Sequence, residues 1–103
     1  MSMIVIAPKA MGETRVQQFN FLSQLAVGET LTSAVTSASV WSGVDSNPSA
    51  VLSGTPAVTT PTAYQKVTGG TEGTIYLLTC TGVTSQGNSP IIQTYLAIVS
   101  NPL

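Results

Sequence analysis

Apolar positions along this chain recur with a period of two in short runs, and Gly, Pro, Asn and Asp separate the runs. That is the spacing of half-buried strands, whose successive side chains point to opposite faces. Arg15 to Phe21 alternates, with Phe19 and Phe21 on one face and Gln18 and Asn20 on the other. Thr30 to Trp41 predicts a long strand whose apolar parity changes part-way. Leu31, Val35 and Trp41 have one parity, and Ala34, Ala38 and Val40 the other. A parity change inside one strand implies a bulge or a twist. Gly73 to Thr84 predicts the strongest strand and Ile91 to Val99 the last, with Ser85-Gln-Gly-Asn-Ser-Pro90 as the turn between them.

Shorter strands are predicted at Met3–Ala7, Ala50–Ser53 and Ala63–Thr68. Gly28-Glu29 and Gly69-Gly70 mark turns, Ser42 to Pro48 reads as loop, and Asn101-Pro-Leu as a short tail. Gly54 and Pro56 stop the Ala50–Ser53 strand, and Thr55 to Thr62 reads as a loop or an edge strand. Helix formers are scattered, while Thr, Val, Ser and Gly dominate. The expectation is an all-β, immunoglobulin-like β-sandwich of seven to eight antiparallel strands. Its organisation is expected to be an N-terminal segment, residues 1–12, available for assembly contacts, followed by one sandwich domain, residues 13–103.

Within the Gly73–Thr84 strand, Tyr76, Leu78 and Cys80 share one face, and Ile75, Leu77 and Thr79 the other. Cys80 is the only cysteine, so no disulfide can form within the chain. A reactive thiolate needs a nearby cation, a helix N-terminus or a metal. The parity instead makes Cys80 a small core hydrophobe, preferred to an intermolecular bond or a nucleophile.

Charge changes the picture most. Only 7% of the residues are charged and the net charge is −1, against roughly a quarter charged in an average domain. Three scattered basic residues make no electrostatic footprint for nucleic acid or an anionic membrane. No apolar run reaches the ~20 residues of a membrane helix. The start Met-Ser-Met-Ile-Val-Ile-Ala-Pro8 lacks a basic region, so synthesis in a cytoplasm without a signal peptide is expected. A Ser/Thr-rich, weakly charged surface is poorly protected against self-association. That suits a protein packed against neighbours.

The chain has no histidine, which removes the commonest general base and metal ligand. Its four carboxylates are widely separated in sequence. Asp45 and Asn47 have calcium-loop spacing without the further acidic ligands, and read as a turn. The glycines at 69, 70 and 73 precede a strand and not a helix, so they do not read as a phosphate loop. No enzyme, cofactor or metal is expected. Trp41 is either a core residue at a strand end or an interface anchor. Tyr64 and Tyr95 can pack one ring face and keep a hydroxyl wet. Trp41, Pro56, Tyr64 and Tyr95 are the candidate interface residues.

The run Gly73-Thr-x-Tyr76-x-Leu78-x-Cys80-x-x-x-Thr84-Ser85-x-Gly87 resembles the F strand and F–G turn of immunoglobulin-like domains. The tyrosine lies four residues before the cysteine rather than two, and the partner cysteine is missing. A narrower resemblance runs through Phe19-x-Phe21, Leu25-x-x-Gly28-Glu29-Thr30, Val40-Trp41-Ser42-Gly43 and Val51-Leu52-Ser53-Gly54. It continues through Val67-x-Gly69-Gly70-x-x-Gly73-x-x-Tyr76-x-Leu78-x-Cys80. In order and spacing these pieces resemble small tailed-bacteriophage virion proteins classed as fibre-tail adaptors. The resemblance implies a structural protein of the virion tail, without catalytic residues. It would join fibres or spikes to the tail or head–tail connector, in multiple copies around a symmetric ring, and serve host attachment. Capsid decoration, a tail-tube subunit and an adhesion or carbohydrate-binding module are the alternatives carried forward.

Overall fold

The computed structural model describes residues 2–5, 9–10 and 13–99. Two short strands come first, β1 (Ser2–Val5) and β2 (Lys9–Ala10). They are followed by β3 (Arg15–Asn20), β4 (Leu31–Ser42), β5 (Leu52–Thr59), β6 (Thr62–Val67), β7 (Ile75–Thr84) and β8 (Ile91–Val99). Two single-turn 3-10 helices, Leu22–Gln24 and Pro48–Val51, sit in the connections.

One sheet has the order β1-β8-β7-β4, with β2 also on β8, and the other the order β3-β6-β5. Strands β3 to β8 thus form two three-stranded antiparallel sheets packed face to face. This is the sandwich class expected. The strand count differs. Six strands are antiparallel, and β1 and β2 run parallel to β8. Alternation reveals that a segment is extended, but not the direction of its partner. The Met3–Ala7 expectation is met by Ser2–Val5, and residues 6–8 and the 101–103 tail lie outside the described residues.

Two further expectations are corrected. Pro48–Val51 is a 3-10 turn, so the strand expected at Ala50–Ser53 begins only at Leu52. That strand also runs on through Gly54 and Pro56 to Thr59. Its register against β6 jumps between Ser53 and Ala57, so Gly54, Thr55 and Pro56 form a bulge. The buried Gln65 side chain supplies what the ladder lacks there. Its Nε2 donates to the Ser53 and Gly54 carbonyls at 3.3 Å each and to Lys66 O at 2.8 Å. A carbonyl left unpaired in that position would cost about 1–3 kcal/mol.

The inner faces build the core. Phe19, Phe21, Ala63, Tyr76, Leu78, Cys80 and Leu96 are all 0% exposed. Each large side chain among them contributes roughly 1.5–3 kcal/mol by leaving water. Cys80 stands with Tyr76 and Leu78 as the parity predicts. The parity change in β4 is also real. Register shifts lie between Leu31 and Ser33 and between Val40 and Ser42. The first lets Leu31 and Ala34 both face inward, and both are buried. Opposite them β7 carries Gly82, where a Cβ would stand 2.6 Å from Leu31 Cδ1. Glycine at that position is what lets Leu31 lie flat on the strand.

Each end of the sandwich is closed by a carboxylate. At one end Glu29 Oε1 accepts from Ala26 N at 2.9 Å, and its Oε2 accepts from Asn88 Nδ2 at 2.8 Å and from the Thr84 hydroxyl. At the other, Tyr76 Oη donates to Asp45 Oδ2 and accepts from Thr71 N at 2.9 Å. These bonds tie the loops at each end to β7.

Candidate functional site

The second register shift in β4 makes Trp41 the extra residue of a bulge. Trp41 has the parity of Val35, Ser37 and Ser39 and so faces outward with them. Its indole is 60% exposed, with its ring centroid 5.0 Å from that of Tyr95 at an interplanar angle of 55°. Tyr95 comes from β8, two strands away. Between them runs β7, whose Leu77 is the register partner of both Tyr95 and Ser39. Trp41 and Tyr95 therefore bridge the outer face of the β4-β7-β8 sheet.

That outer face is mostly apolar. Ile75, Leu77, Tyr95 and Ala97 are half-buried, and Val35, Val83 and Val99 are exposed. Thr79 and Gln93 add a hydrogen bond across the ladder, with Gln93 Nε2 donating to Thr79 Oγ1 at 3.1 Å. None of the three strands carries a charged residue. Exposed contiguous apolar surface without charge marks a contact surface more often than a solvent face.

The other candidates lie elsewhere. Tyr64 is half-buried on the outer face of the opposite sheet, in register with Gln18 and Ala57. Pro56 sits in the β5 bulge, beside a groove of about 260 Å³ between β5 and the edge of β4. The four candidates thus fall on three surfaces, and only Trp41 and Tyr95 meet. The β7 outer residues Ile75 and Leu77 were visible in the sequence as one face, but only the register brings that face under the two rings. A second apolar spot has no periodic signal. Leu22, Leu25, Val27 and Pro61 line an open depression of about 400 Å³ at the Glu29 end.

Two carboxylates are held by hydrogen bonds within the fold. Hydrogen bonds from Ala26 N, then Thr84 and Asn88, hold the Glu29 carboxyl below its ordinary range against a desolvation that opposes them. Tyr76 Oη, then Asn47 N, do the same for Asp45. The Asn47 N bond to Asp45 Oδ1, 2.9 Å long, is the turn expected of that pair. Thr84 and Tyr76, which hold the two carboxylates, lie eight residues apart on β7, about 27 Å of strand. Burial pushes the Cys80 thiol up to about 11, against a smaller opposing effect from the Thr36 hydroxyl. Among the described residues no three His, Cys, Asp or Glu side chains cluster as a metal site, and no helix is long and apolar enough to cross a membrane.

A family model described as podophage GP4 fiber-tail adaptor protein gp77 matches residues 9–94. The chain belongs to that family. The match spans β2 to the middle of β8, and so includes Trp41 and the β4-β7 pairing. Comparison with curated proteins and with solved structures yields no match. Membership in an adaptor family makes this β-sandwich a component of the phage virion, associated with other virion proteins such as fibre and tail.

Proposed function

We propose that the protein is a non-enzymatic structural adaptor that joins tail fibres or spikes to the tail or head–tail connector. It does so by laying the outer face of the β4-β7-β8 sheet against a neighbouring virion protein. The observation that carries this reading is the uncharged apolar face centred on the Trp41–Tyr95 pair. An exposed Trp over a Tyr is the composition of an interface anchor, and a face without charge pays no desolvation of ions when covered. The catalytic alternative has little to stand on. There is no histidine, the two carboxylates that close the ends are far apart, and the one thiol is buried.

Several copies are arranged around the tail in this reading, each made in the host cytoplasm, and the fibres they hold serve host attachment. Residues 1–12 are a second contact, since β1 and β2 form the outer edge of the same sheet. The test is reconstitution of particles from a phage lacking this protein. Wild-type protein is expected to restore fibres to the tail, seen by electron microscopy, and Trp41→Ala with Tyr95→Ala to fold but not to be incorporated. Fibre attachment unaffected by the double variant would sink the assignment of the face. Particles fully fibred without the protein would sink the adaptor reading itself.

A further inference from the structure

Charge is gathered at one end of the sandwich. The chain has seven charged residues, and six belong to the end where Tyr76 donates to Asp45. There Arg15 stands in register with Val67, Lys66 with Val16 and Lys9 with Ile98. Glu13 precedes Arg15 by two residues, and Glu72 lies in the turn whose Gly73 N donates to Ile98 O at 2.9 Å. The seventh, Glu29, stands alone at the other end. It is 7% exposed, and its oxygens are taken by Ala26 N, Asn88 Nδ2 and the Thr84 hydroxyl.

This uncharged end carries the depression of about 400 Å³ between the 22–30 segment and Thr60-Pro61. Its apolar rim is not explained by folding. Val27 is 103% exposed, in the turn closed by Glu29 N donating to Ala26 O at 3.0 Å, and Leu22 is 64% exposed. Turns ordinarily carry Gly, Asn, Asp or Ser, and an apolar side chain left in water contributes nothing to the fold. The walls are nevertheless held in place. Asn20 Oδ1 accepts from Leu22 N, Pro61 O from Phe21 N and Thr60 Oγ1 from Leu31 N, each at 2.9 Å. The depression is thus preformed, which lowers the ordering cost of binding.

The depression is also remote from the Trp41–Tyr95 face. Trp41 lies ten residues along β4 from Leu31, roughly 33 Å of strand. Partners seated on the two surfaces do not compete, and a protein that joins two others needs two such surfaces.

We propose that the depression is the fibre-side contact of the adaptor. It takes an uncharged apolar side chain projecting from the fibre protein, while the Trp41–Tyr95 face lies on the tail. The inference rests on the adaptor reading and divides its two contacts. Two observations choose the occupant. A concave site fits a projection from a slender partner, whereas the outer sheet face fits the broader surface of the tail. The site also offers no free charge, so a charged segment would lose its water without gaining a counter-ion. An aliphatic or aromatic side chain would instead cover Leu22 and Val27.

The test uses particles of a phage lacking this protein, reconstituted with the full chain. Bound adaptor is measured by immunoblot and fibres are counted by electron microscopy. Val27→Glu is expected to be incorporated as the wild type is, but to leave tails without fibres. Val27→Leu, which keeps the site apolar, is expected to restore both. Trp41→Ala with Tyr95→Ala is expected to give the other phenotype, particles lacking adaptor and fibres alike. Because Val27 is fully exposed, V27E is expected to unfold at the wild-type denaturant midpoint; should it not, Leu22→Glu answers the same question. Fibres retained by the charged variant, or the charged variant itself missing from the particle, overturns the assignment of the depression to the fibre. So does self-association of the purified chain that V27E abolishes, which would seat a second copy there. Particles fully fibred without any adaptor defeat the adaptor reading instead, so the two failures are told apart.

Discussion

The indole of Trp41 and the phenol ring of Tyr95 lie 5.0 Å apart across β7, tilted by 55°. The tilted arrangement avoids stacking like-charged ring faces, and such pairs add about 0.5–1.5 kcal/mol beyond area burial. Because the indole is largely exposed, most of its apolar area still awaits a partner. Trp41→Ala is therefore expected to cost the isolated protein about 1–3 kcal/mol, the ring pair plus the part of the indole already buried, measured by denaturant unfolding. Its effect on incorporation into particles is expected to be far larger. A loss of stability of several kcal/mol would make Trp41 a core residue after all.

Gly70 turns the chain from β6 towards β7 with φ at +97°, and a Cβ there would lie 2.7 Å from Ile98 Cγ1. Ile98 is a buried core residue of β8. Gly70→Ala combines a left-handed backbone, roughly 1–2 kcal/mol for an L-residue, with overpacking of roughly 1–3 kcal/mol. A destabilisation of about 2–5 kcal/mol is expected by the same unfolding measurement. Gly69, whose Cβ would meet open space, is expected to cost only the backbone part on substitution by Ala. Equal losses at the two positions would remove the steric account.

The sandwich was readable where one face is buried and the other is not. Tyr76, Leu78 and Cys80 share a face because period two is a property of the strand itself, and the break in β4 parity marked its bulges for the same reason. The edge-strand reading of Thr55–Thr62 holds through Thr59, but the strand's continuity with Leu52 and Ser53 escaped because it depends on Gln65, more than ten residues away, whose amide fills a gap that Gly54 and Pro56 open. The direction of β1 escaped because parallel and antiparallel partners are not distinguished by alternation. The site was half readable. Trp41 and Tyr95 are the residue types of an anchor, but their meeting depends on the register of β4, β7 and β8. Tyr64 and Pro56 have the same sequence credentials and lie on other surfaces.

Cys80 is closed to chemistry by its place in the core. With the thiol raised to about 11, the thiolate is scarce at pH 8, and the side chain is 0% exposed. Ellman's reagent is expected to leave native protein unmodified at pH 8 and to titrate one thiol per chain once the protein is unfolded. Rapid reaction of the native protein would contradict both the burial and the reading of Cys80 as a packing residue.

The two carboxylates at the ends of the sandwich make stability depend on acid. Glu29 and Asp45 are both held below their ordinary values, chiefly by Ala26 N for Glu29 and by Tyr76 Oη for Asp45. A lowered native value means that the unfolded chain binds more protons through the range just below the ordinary values of 4.5 and 3.8. Stability therefore rises with pH there. The contribution is complete above the unfolded values and is lost as pH falls through the native ones. Unfolding midpoints in denaturant are expected to be flat from pH 7 to about 5 and to fall steadily below that. Glu29→Gln keeps an acceptor for Ala26 N but has no charge to titrate, so it is expected to flatten the acid slope while lowering stability at pH 7. Tyr76→Phe removes the main donor to Asp45 and leaves Thr71 N without its acceptor, so it too is expected to flatten the slope. It should also cost about 1–3 kcal/mol at neutral pH. Acid slopes unchanged in both variants would show that other carboxylates govern the acid transition.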